Sequence, residues 1–237
     1  MGQFGGPLLL PADVPDQEHP YVATIDLAAL PAGSTDLPLP PDGRLLLFVF
    51  PEDDGCCGDI GSVVYVPEGT PVVERDMHTT WYSTVDEYRE YMEQFPQGPM
   101  HAAVDVSLPH YCDEDFSDDL RWEADWPPHS EELLKLVREA QNDIGDWGTF
   151  QLGGFASEEV ADLHDPVESI VEAAKTAVAK GKVDFAVSED PADWVLLADW
   201  HVDVDGWEGM SVHWAVQRRD LEERRFERVF VSRYWNP

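Results

Sequence analysis

The chain has 237 residues, of which 43% are hydrophobic, and its 48 acidic and 15 basic residues give a formal net charge of −33. The apolar fraction supplies enough material for a packed core, which argues against general disorder despite the charge. A surface of this sign repels phosphates and anionic lipids, so the charge excludes nucleic acid and membranes as partners. No apolar run approaches the roughly 18 residues that a membrane-spanning helix needs.

The cysteines and the N-terminal residues indicate a cytoplasmic protein. Three cysteines (Cys56, Cys57 and Cys112) are an odd number with two adjacent, so no disulfide framework is predicted. The first residues lack the basic start and the apolar run of a signal peptide. Neither the cysteine pair nor His110 with Cys112 supplies by itself the ligand spacing of a zinc site, so no cofactor is predicted from them.

The first part of the chain is predicted to be rich in strands. Prolines and glycines divide it into short pieces, and we expect strands at Pro20–Leu27, Arg44–Phe50 and Ser62–Val66. The continuous apolar run that begins at Arg44 suits a strand that is buried on both faces. Residues 101–108 are expected to form a further strand.

A helix is predicted between these strands. Thr84 and Glu87 have the spacing of a capping box, in which each side chain bonds to the backbone of the other residue. The apolar face of this helix would consist of Val85, Tyr88 and Met92.

An acidic segment follows. From Asp113 to Trp126 the chain contains seven acids and one arginine, together with two tryptophans. Such a run indicates an exposed loop or linker, whose aromatic residues either pin the loop onto the core or anchor a protein partner. The candidate partner-binding residues are Asp113, Glu114, Asp115, Asp118, Asp119, Trp122 and Trp126.

Two helices are predicted after the acidic segment. Ser130 is placed to cap the first helix, whose inward-facing residues would be Leu133, Leu134 and Val137. Asp165 is placed to cap the second helix, which carries Pro166 in its first turn and ends at Gly181. The apolar stripe of the second helix consists of Val167, Ile170, Val171, Ala174 and Val178.

Three strands are expected at the C-terminal end, at Trp194–Asp205, Met210–Gln217 and Arg228–Trp235. A Gly-Gly pair precedes three strands both here and in the first half of the chain, which indicates an internal repeat, although any two β-meanders would look similar. The aligned strands are Tyr21–Asp26 with Trp194–Asp199, Leu45–Phe50 with Val212–Val216, and Val63–Val66 with Val229–Val231.

The sequence therefore predicts an α+β fold that is β-rich, with two pseudo-repeated halves of mainly antiparallel strands and a few flanking helices. We place the N-terminal half at 1–112 and the C-terminal half at 148–237. An acidic linker and helix at 113–147 would separate them, with the two halves packed as one unit.

One strand carries a row of polar residues that could hold a metal. Along the predicted strand 194–205, every second residue from 199 onwards is an aspartate or a histidine, so these side chains share one face. Carboxylates and an imidazole in a row can bind a divalent cation, whereas a solvated strand face is the competing interpretation. The candidate metal ligands are Asp199, His201, Asp203 and Asp205.

Motifs of known catalytic chemistry are missing from the sequence. It contains no Gly-x-Ser-x-Gly elbow, no phosphate-binding loop and no Gly-x-Gly-x-x-Gly, and no two histidines stand at helical i, i+4 spacing. The Gly-Gly pairs are better explained as tight turns than as phosphate cradles. We therefore predict no catalytic residue.

Several ordered motifs resemble the YwqG-like family, a bacterial domain of unknown function (number 1963). In the first half they are Gly5-Gly-Pro-Leu-Leu-Leu-Pro11, Tyr21-Val-Ala-Thr-Ile-Asp-Leu27 and Leu39-Pro-Pro-Asp-Gly-Arg-Leu-Leu-Leu-Phe48. In the second half they are Gln151-Leu-Gly-Gly154 and Trp194-Val-Leu-Leu-Ala-Asp199. The resemblance implies duplicated β-rich halves, bacterial origin and a cytoplasmic location. It also implies an inhibitor or immunity-type role, and it transfers no catalytic residue.

Two functional hypotheses follow. The leading one is a non-catalytic protein-binding module for a basic protein partner, because the charge would steer such a partner and no catalytic signature is present. The alternative is a metal-assisted hydrolase or small-ligand binder that uses the polar strand face 199–205.

Overall fold

The computed structural model describes residues 1–51, 60–107, 148–156 and 166–235, together with residues 129, 132, 133, 135–137, 139 and 140. Within these residues each strand pairs antiparallel with its neighbours, and helices are few. The predicted α+β, β-rich fold is confirmed.

The first half forms a five-stranded sheet and a separate two-stranded ribbon. Its strands are β1 (Gly2–Phe4), β2 (Leu8–Pro11), β3 (Tyr21–Asp26), β4 (Arg44–Val49), β5 (Gly61–Val66), β6 (Val72–Arg75) and β7 (Gly98–Met100). Across the sheet their order is β5–β4–β3–β1–β7, and β2 pairs with β6 in the ribbon. The β2–β6 ribbon covers the outer face of this sheet, where Leu46 and Phe48 are buried with Leu8 and Leu10.

The second half forms a four-stranded sheet with the order β11–β10–β9–β8, made of β8 (Phe150–Leu152), β9 (Trp194–Val202), β10 (Met210–Gln217) and β11 (Phe230–Trp235). The helices whose bounds lie within the described residues are α1 (Asp86–Met92), α2 (Pro166–Ala179) and α3 (Arg218–Glu222). Single 3-10 turns occupy Leu27–Ala29, Trp81–Thr84, Pro191–Asp193 and Phe226–Arg228. Helix α2 packs its buried face, which includes Ile170 and Ala174, on the outer face of this sheet.

The inner faces of the two sheets share one hydrophobic core. Leu45 and Leu47 of β4 belong to the same buried cluster as Val212 and Trp214 of β10. The Ile60 N–H also donates a hydrogen bond of 3.2 Å to a carbonyl of β11, which joins the sheets at one edge. The boundaries predicted at 112, 113 and 147 stay a prediction, since 112, 113 and 147 themselves lie outside the described residues.

The internal repeat is visible in the backbone. In both halves a β-bulge interrupts the central pairing, at Val22 in β3 and at Leu197 in β9. Each bulged carbonyl accepts a hydrogen bond from the first glycine of the Gly-Gly turn, Gly5 N–H at 2.8 Å and Gly153 N–H at 3.0 Å. Because a bulge frees a carbonyl from the strand ladder, the turn and the bulge form one unit that occurs twice.

The sequence alignment of the halves was wrong by two residues in this strand. It matched Asp26 with Asp199, whereas the structure matches Thr24 with Asp199. Thr24 lies opposite Gln3, and Asp199 lies opposite Gln151 in the equivalent pair of strands. Side chains alternate with a period of two, so a slip of two residues leaves every side chain on its proper face and the hydrophobic pattern does not detect it.

The repeated turn gives a first testable prediction. Gly153 has a φ of +72°, and a Cβ at this position would lie 2.8 Å from the Thr35 Oγ1 atom and 3.2 Å from the Leu37 Cδ1 atom. Gly153→Ala is therefore expected to lower the free energy of unfolding by about 1–2 kcal/mol, as measured by urea denaturation. Gly148→Ala is the control, because a Cβ there has no neighbour closer than 3.7 Å. Equal stabilities of the two variants would contradict the prediction.

The strand predicted at 101–108 is wrong over its described residues, 101–107, which form no strand. Val104 and Val106 are about half exposed, so the alternating apolar residues of this segment do not pack against a buried face. Strand β7 ends just before this segment, at Met100.

The predicted capping box is also wrong. Helix α1 begins at Asp86 with Val85 at its N-cap and has no side-chain capping bond. The Thr84 hydroxyl instead donates a 2.6 Å hydrogen bond to the Trp81 carbonyl, which closes the preceding 3-10 turn. Tyr88 and Met92 are half-buried against the shared core, which agrees with the apolar face predicted for this helix.

The two helices predicted after the acidic segment differ from the prediction at single residues. Helical residues follow 129 as expected and Val137 is buried, but Leu133 is exposed; Ser130 and Leu134 lie outside the described residues. Helix α2 places Ala177 rather than Val178 against the sheet, which lets the helix approach closely on small side chains. The cap residue Asp165 lies outside the described residues.

Two strands are shorter than predicted. Strand β9 ends at Val202 because the chain turns back towards β10, which leaves Asp203 and Asp205 beyond the ladder. Strand β11 begins at Phe230, since a 3-10 turn at Phe226–Arg228 precedes it.

Candidate functional site

An exposed tryptophan lies at the start of the segment that leads into α1. Trp81 has 63% of its surface exposed and begins the 3-10 turn that Thr84 closes. The next residue, Tyr82, is buried and stacks on Phe50 with ring centroids 4.3 Å apart. The backbone that carries Trp81 is therefore attached to the core while its own ring faces solvent.

Two tyrosines support the Trp81 ring from the side. Its centroid lies 5.4 Å from that of Tyr82 and 5.6 Å from that of Tyr88, both in edge-to-face geometry. Edge-to-face contacts are the favourable arrangement for aromatic quadrupoles. They fix the orientation of the indole and leave much of its surface uncovered.

Helix α1, which follows this tryptophan in the chain, is rich in exposed carboxylates. Its exposed acids are Asp86, Glu87 and Glu90, and Glu93 follows at its C-cap. The basic residue of this helix, Arg89, forms an ion pair with Asp86 and so adds little positive potential.

A second acidic segment lies against α1. In the turn between β9 and β10, Trp207 is buried and stacks on Tyr91 of α1 with a centroid distance of 4.6 Å. The Asp205 N–H donates a 3.0 Å hydrogen bond to the Gln94 Oε1 atom. Residues far apart in sequence are thereby brought together in one acidic surface, which comprises Asp86, Glu87, Glu90, Glu93, Asp203, Asp205 and Glu208.

Local hydrogen bonds keep one carboxylate of this surface ionised. Backbone hydrogen bonds from Glu208 itself and from Gly206 lower the pKa of the Glu208 carboxyl below its ordinary value. Such bonds favour the charged form of a carboxylate, so the negative charge persists to lower pH.

The four predicted metal ligands do not share one environment. Asp199 is only 2% exposed and its Oδ1 atom lies 3.2 Å from the Nδ1 atom of His213, which is equally buried. His201, Asp203 and Asp205 are exposed, and His201 contacts the Ser211 hydroxyl at 3.4 Å. Over the described residues, no three histidine, cysteine, aspartate or glutamate side chains are grouped so that they could hold a metal ion.

The Asp199–His213 pair belongs to a buried polar row that crosses the second sheet. Directly opposite residues on its four strands are Gln151, Asp199, His213 and Ser232. The equivalent positions of the first sheet carry Gln3, Thr24, Leu46 and Val64. The first half thus carries a threonine and a leucine on these two strands, where the second half buries a carboxylate with an imidazole.

A second buried carboxylate holds the connection between β10 and β11. Asp220 of α3 accepts hydrogen bonds from Arg225 Nε at 2.7 Å, Arg228 Nη1 at 3.3 Å and Gln217 Nε2 at 2.9 Å. These contacts use two of the arginines clustered near the C-terminal end of the sequence. The charges of Arg225 and Arg228 are therefore paired with a buried carboxylate and contribute less to the surface potential.

The sequence analysis placed the partner-binding site elsewhere. Its candidates from Asp113 to Trp126 lie outside the described residues and stay predictions. Trp81 was not among the predicted residues, although the adjacent aromatic pair Trp81 and Tyr82 before α1 could have indicated it. The sequence analysis also missed His213, whose pairing with Asp199 depends on strand register.

The comparison with protein families gives one match. The family model described as Domain of unknown function (DUF1963) matches residues 3–233, which is nearly the whole chain. The chain belongs to this DUF1963 family. No curated protein matches the sequence. The DUF1963 assignment confirms the resemblance read from the sequence motifs, and its description assigns no activity.

A separate observation concerns membranes. Among the residues that the structure describes, no helix combines the length and hydrophobicity needed to cross a bilayer.

Proposed function

We propose that this DUF1963 protein is a non-catalytic module that binds a basic protein partner through the acidic surface. The observation that carries the proposal is that the Tyr91–Trp207 stack and the Asp205–Gln94 hydrogen bond hold together two segments with exposed carboxylates, α1 and the β9–β10 turn. Because buried aromatic packing holds the two segments together, the carboxylates form a fixed pattern rather than a diffuse cloud of charge.

The net charge supports the same proposal through kinetics. A field from −33 charges attracts a cationic protein over distances up to the Debye length, about 8 Å at physiological ionic strength. Such steering raises association rates by a factor of roughly 10 to 1,000 and weakens as salt is added.

An affinity capture from cells that express the protein tests the proposal. The test variant replaces Glu87, Glu90 and Glu93 by glutamine, and the matched control makes the same change at Glu68, Glu74 and Glu227, which are exposed on other elements. Both variants have the same net charge. We expect a basic protein to be captured at low salt by the wild type and the control, and about tenfold more weakly by the test variant. Equal capture by both variants, or no basic protein, would reject the proposal.

The second candidate function is binding of a small polar ligand at the buried polar row. It is favoured by the Asp199–His213 pair, because burying an acid and a base costs free energy that the uncharged residues at the equivalent positions, Thr24 and Leu46, avoid. A thermal-shift screen of polar metabolites and divalent cations would compare the wild type with the double variant Asp199→Thr/His213→Leu. A compound that stabilises the wild type alone supports this function, and equal shifts in both proteins argue against it.

A further inference from the structure

The exposure of Trp81 is unusual for a residue that is so well supported. Large aromatic side chains are normally buried, and a tryptophan with 63% of its surface in water loses most of its hydrophobic stabilisation. The turn that carries it is nevertheless held by the Thr84 hydrogen bond and by the packing of Tyr82. A fixed, exposed indole is what protein interfaces use as an anchor.

The surroundings of Trp81 select the chemistry of its occupant. The face of an indole carries negative electrostatic potential, and the exposed carboxylates of α1 follow it in the chain. Among the described residues, the cation–π contacts are those of Arg228 with Phe185 and of Arg233 with Trp235. A cation supplied by another molecule would therefore find attraction from both the ring and the carboxylates.

We propose that Trp81 is the anchor of the acidic surface and receives an arginine side chain of the basic partner. The proposal rests on the function proposed above and names the group that is recognised. Arginine fits better than lysine, because its planar guanidinium stacks on an aromatic face while its N–H groups donate to carboxylates. Lysine offers a compact, strongly hydrated charge and gains less from stacking.

The test uses blocked five-residue peptides made of arginine or of lysine, titrated into the full-length protein. The readout is the NMR signal of the Trp81 indole N–H, which is assigned by its loss in Trp81→Phe. The indole of Trp194 serves as an internal reference, since it is buried and its N–H donates to the Ser188 carbonyl, outside the acidic surface. We expect the arginine peptide to shift the Trp81 signal and to bind more tightly than the lysine peptide.

Variants then separate the ring from the charge. Trp81→Ala is expected to weaken binding of the arginine peptide about 3- to 30-fold, the range of cation–π contacts, with Trp81→Phe in between. Trp235→Ala should leave the affinity within about twofold, and circular dichroism of each variant establishes that it is folded.

The possible outcomes distinguish the two proposals. If Trp81→Ala binds the arginine peptide like the wild type while the Glu87, Glu90 and Glu93 variant does not, the anchor is refuted and the acidic surface stands. If the peptide binds the wild type no better than that variant, the proposed function itself fails. If Trp81→Ala lowers the affinity for an uncharged leucine peptide as much as it lowers the affinity for the arginine peptide, the anchor recognises apolar side chains. The arginine assignment is then overturned.

Discussion

Asp220→Ala is expected to lower the free energy of unfolding by about 3–5 kcal/mol, the usual cost of removing one partner from a buried ion pair. Asp220 is 2% exposed and accepts from Arg225, Arg228 and Gln217. Its loss would leave the partly buried Arg228 guanidinium without this carboxylate and would leave Arg225 with the exposed Glu223 as its ion-pair partner. It would also release the connection that aligns β10 with β11.

The effect of Asp220→Ala can be separated from a general effect of removing acids. The neighbouring Glu223 also forms ion pairs, with Arg219 at 3.1 Å and with Arg225, but its side chain is 44% exposed. Exposed pairs contribute little, so Glu223→Ala is expected to change stability by less than about 1 kcal/mol. Guanidinium chloride unfolding of both variants makes the comparison. Similar losses of stability in the two would show that Asp220 has no special role.

The second large effect is expected at the buried polar row. Asp199→Ala should cost about 3–5 kcal/mol of unfolding free energy, because it leaves the His213 imidazole buried without its carboxylate. The double variant Asp199→Thr/His213→Leu carries the residues of the equivalent positions Thr24 and Leu46. Since this variant removes both members of the buried pair and does not leave one of them alone, we expect it to recover most of the lost stability.

A double-mutant cycle provides the measurement. The unfolding free energies of Asp199→Thr, His213→Leu and the double variant would give an interaction energy of at least about 1 kcal/mol between the two positions. A double variant whose loss equals the sum of the single losses would show that the two side chains do not act as a pair.

The sequence predicted well those features that depend on local pattern. The run from Arg44 to Phe50 differs from β4 by one residue, because a strand buried on both faces has an unmistakable apolar composition. The Gly-Gly turns were located because positive φ angles demand glycine, at Gly5 and at Gly153 alike.

Features that depend on contacts between distant segments could not be predicted. The pairing of Asp199 with His213 needs the register of two strands and the bulge at Leu197. The capping box at Thr84 failed because its hydroxyl found a nearer acceptor in the Trp81 carbonyl. The exposure of Trp81 itself depends on what packs around it, and a tryptophan has the same hydropathy inside or outside a core.

The shared core has a consequence for how two look-alike halves recognise each other. The tryptophans that the described residues contribute to that core, Trp200, Trp207 and Trp214, come from the second half, whereas the central strands of the first half contribute aliphatic residues such as Leu47. Two first halves from different molecules would leave empty space between them, and two second halves would collide, because interiors are close-packed. Unequal side-chain size therefore favours the pairing of a first half with a second half over the pairing of two identical halves.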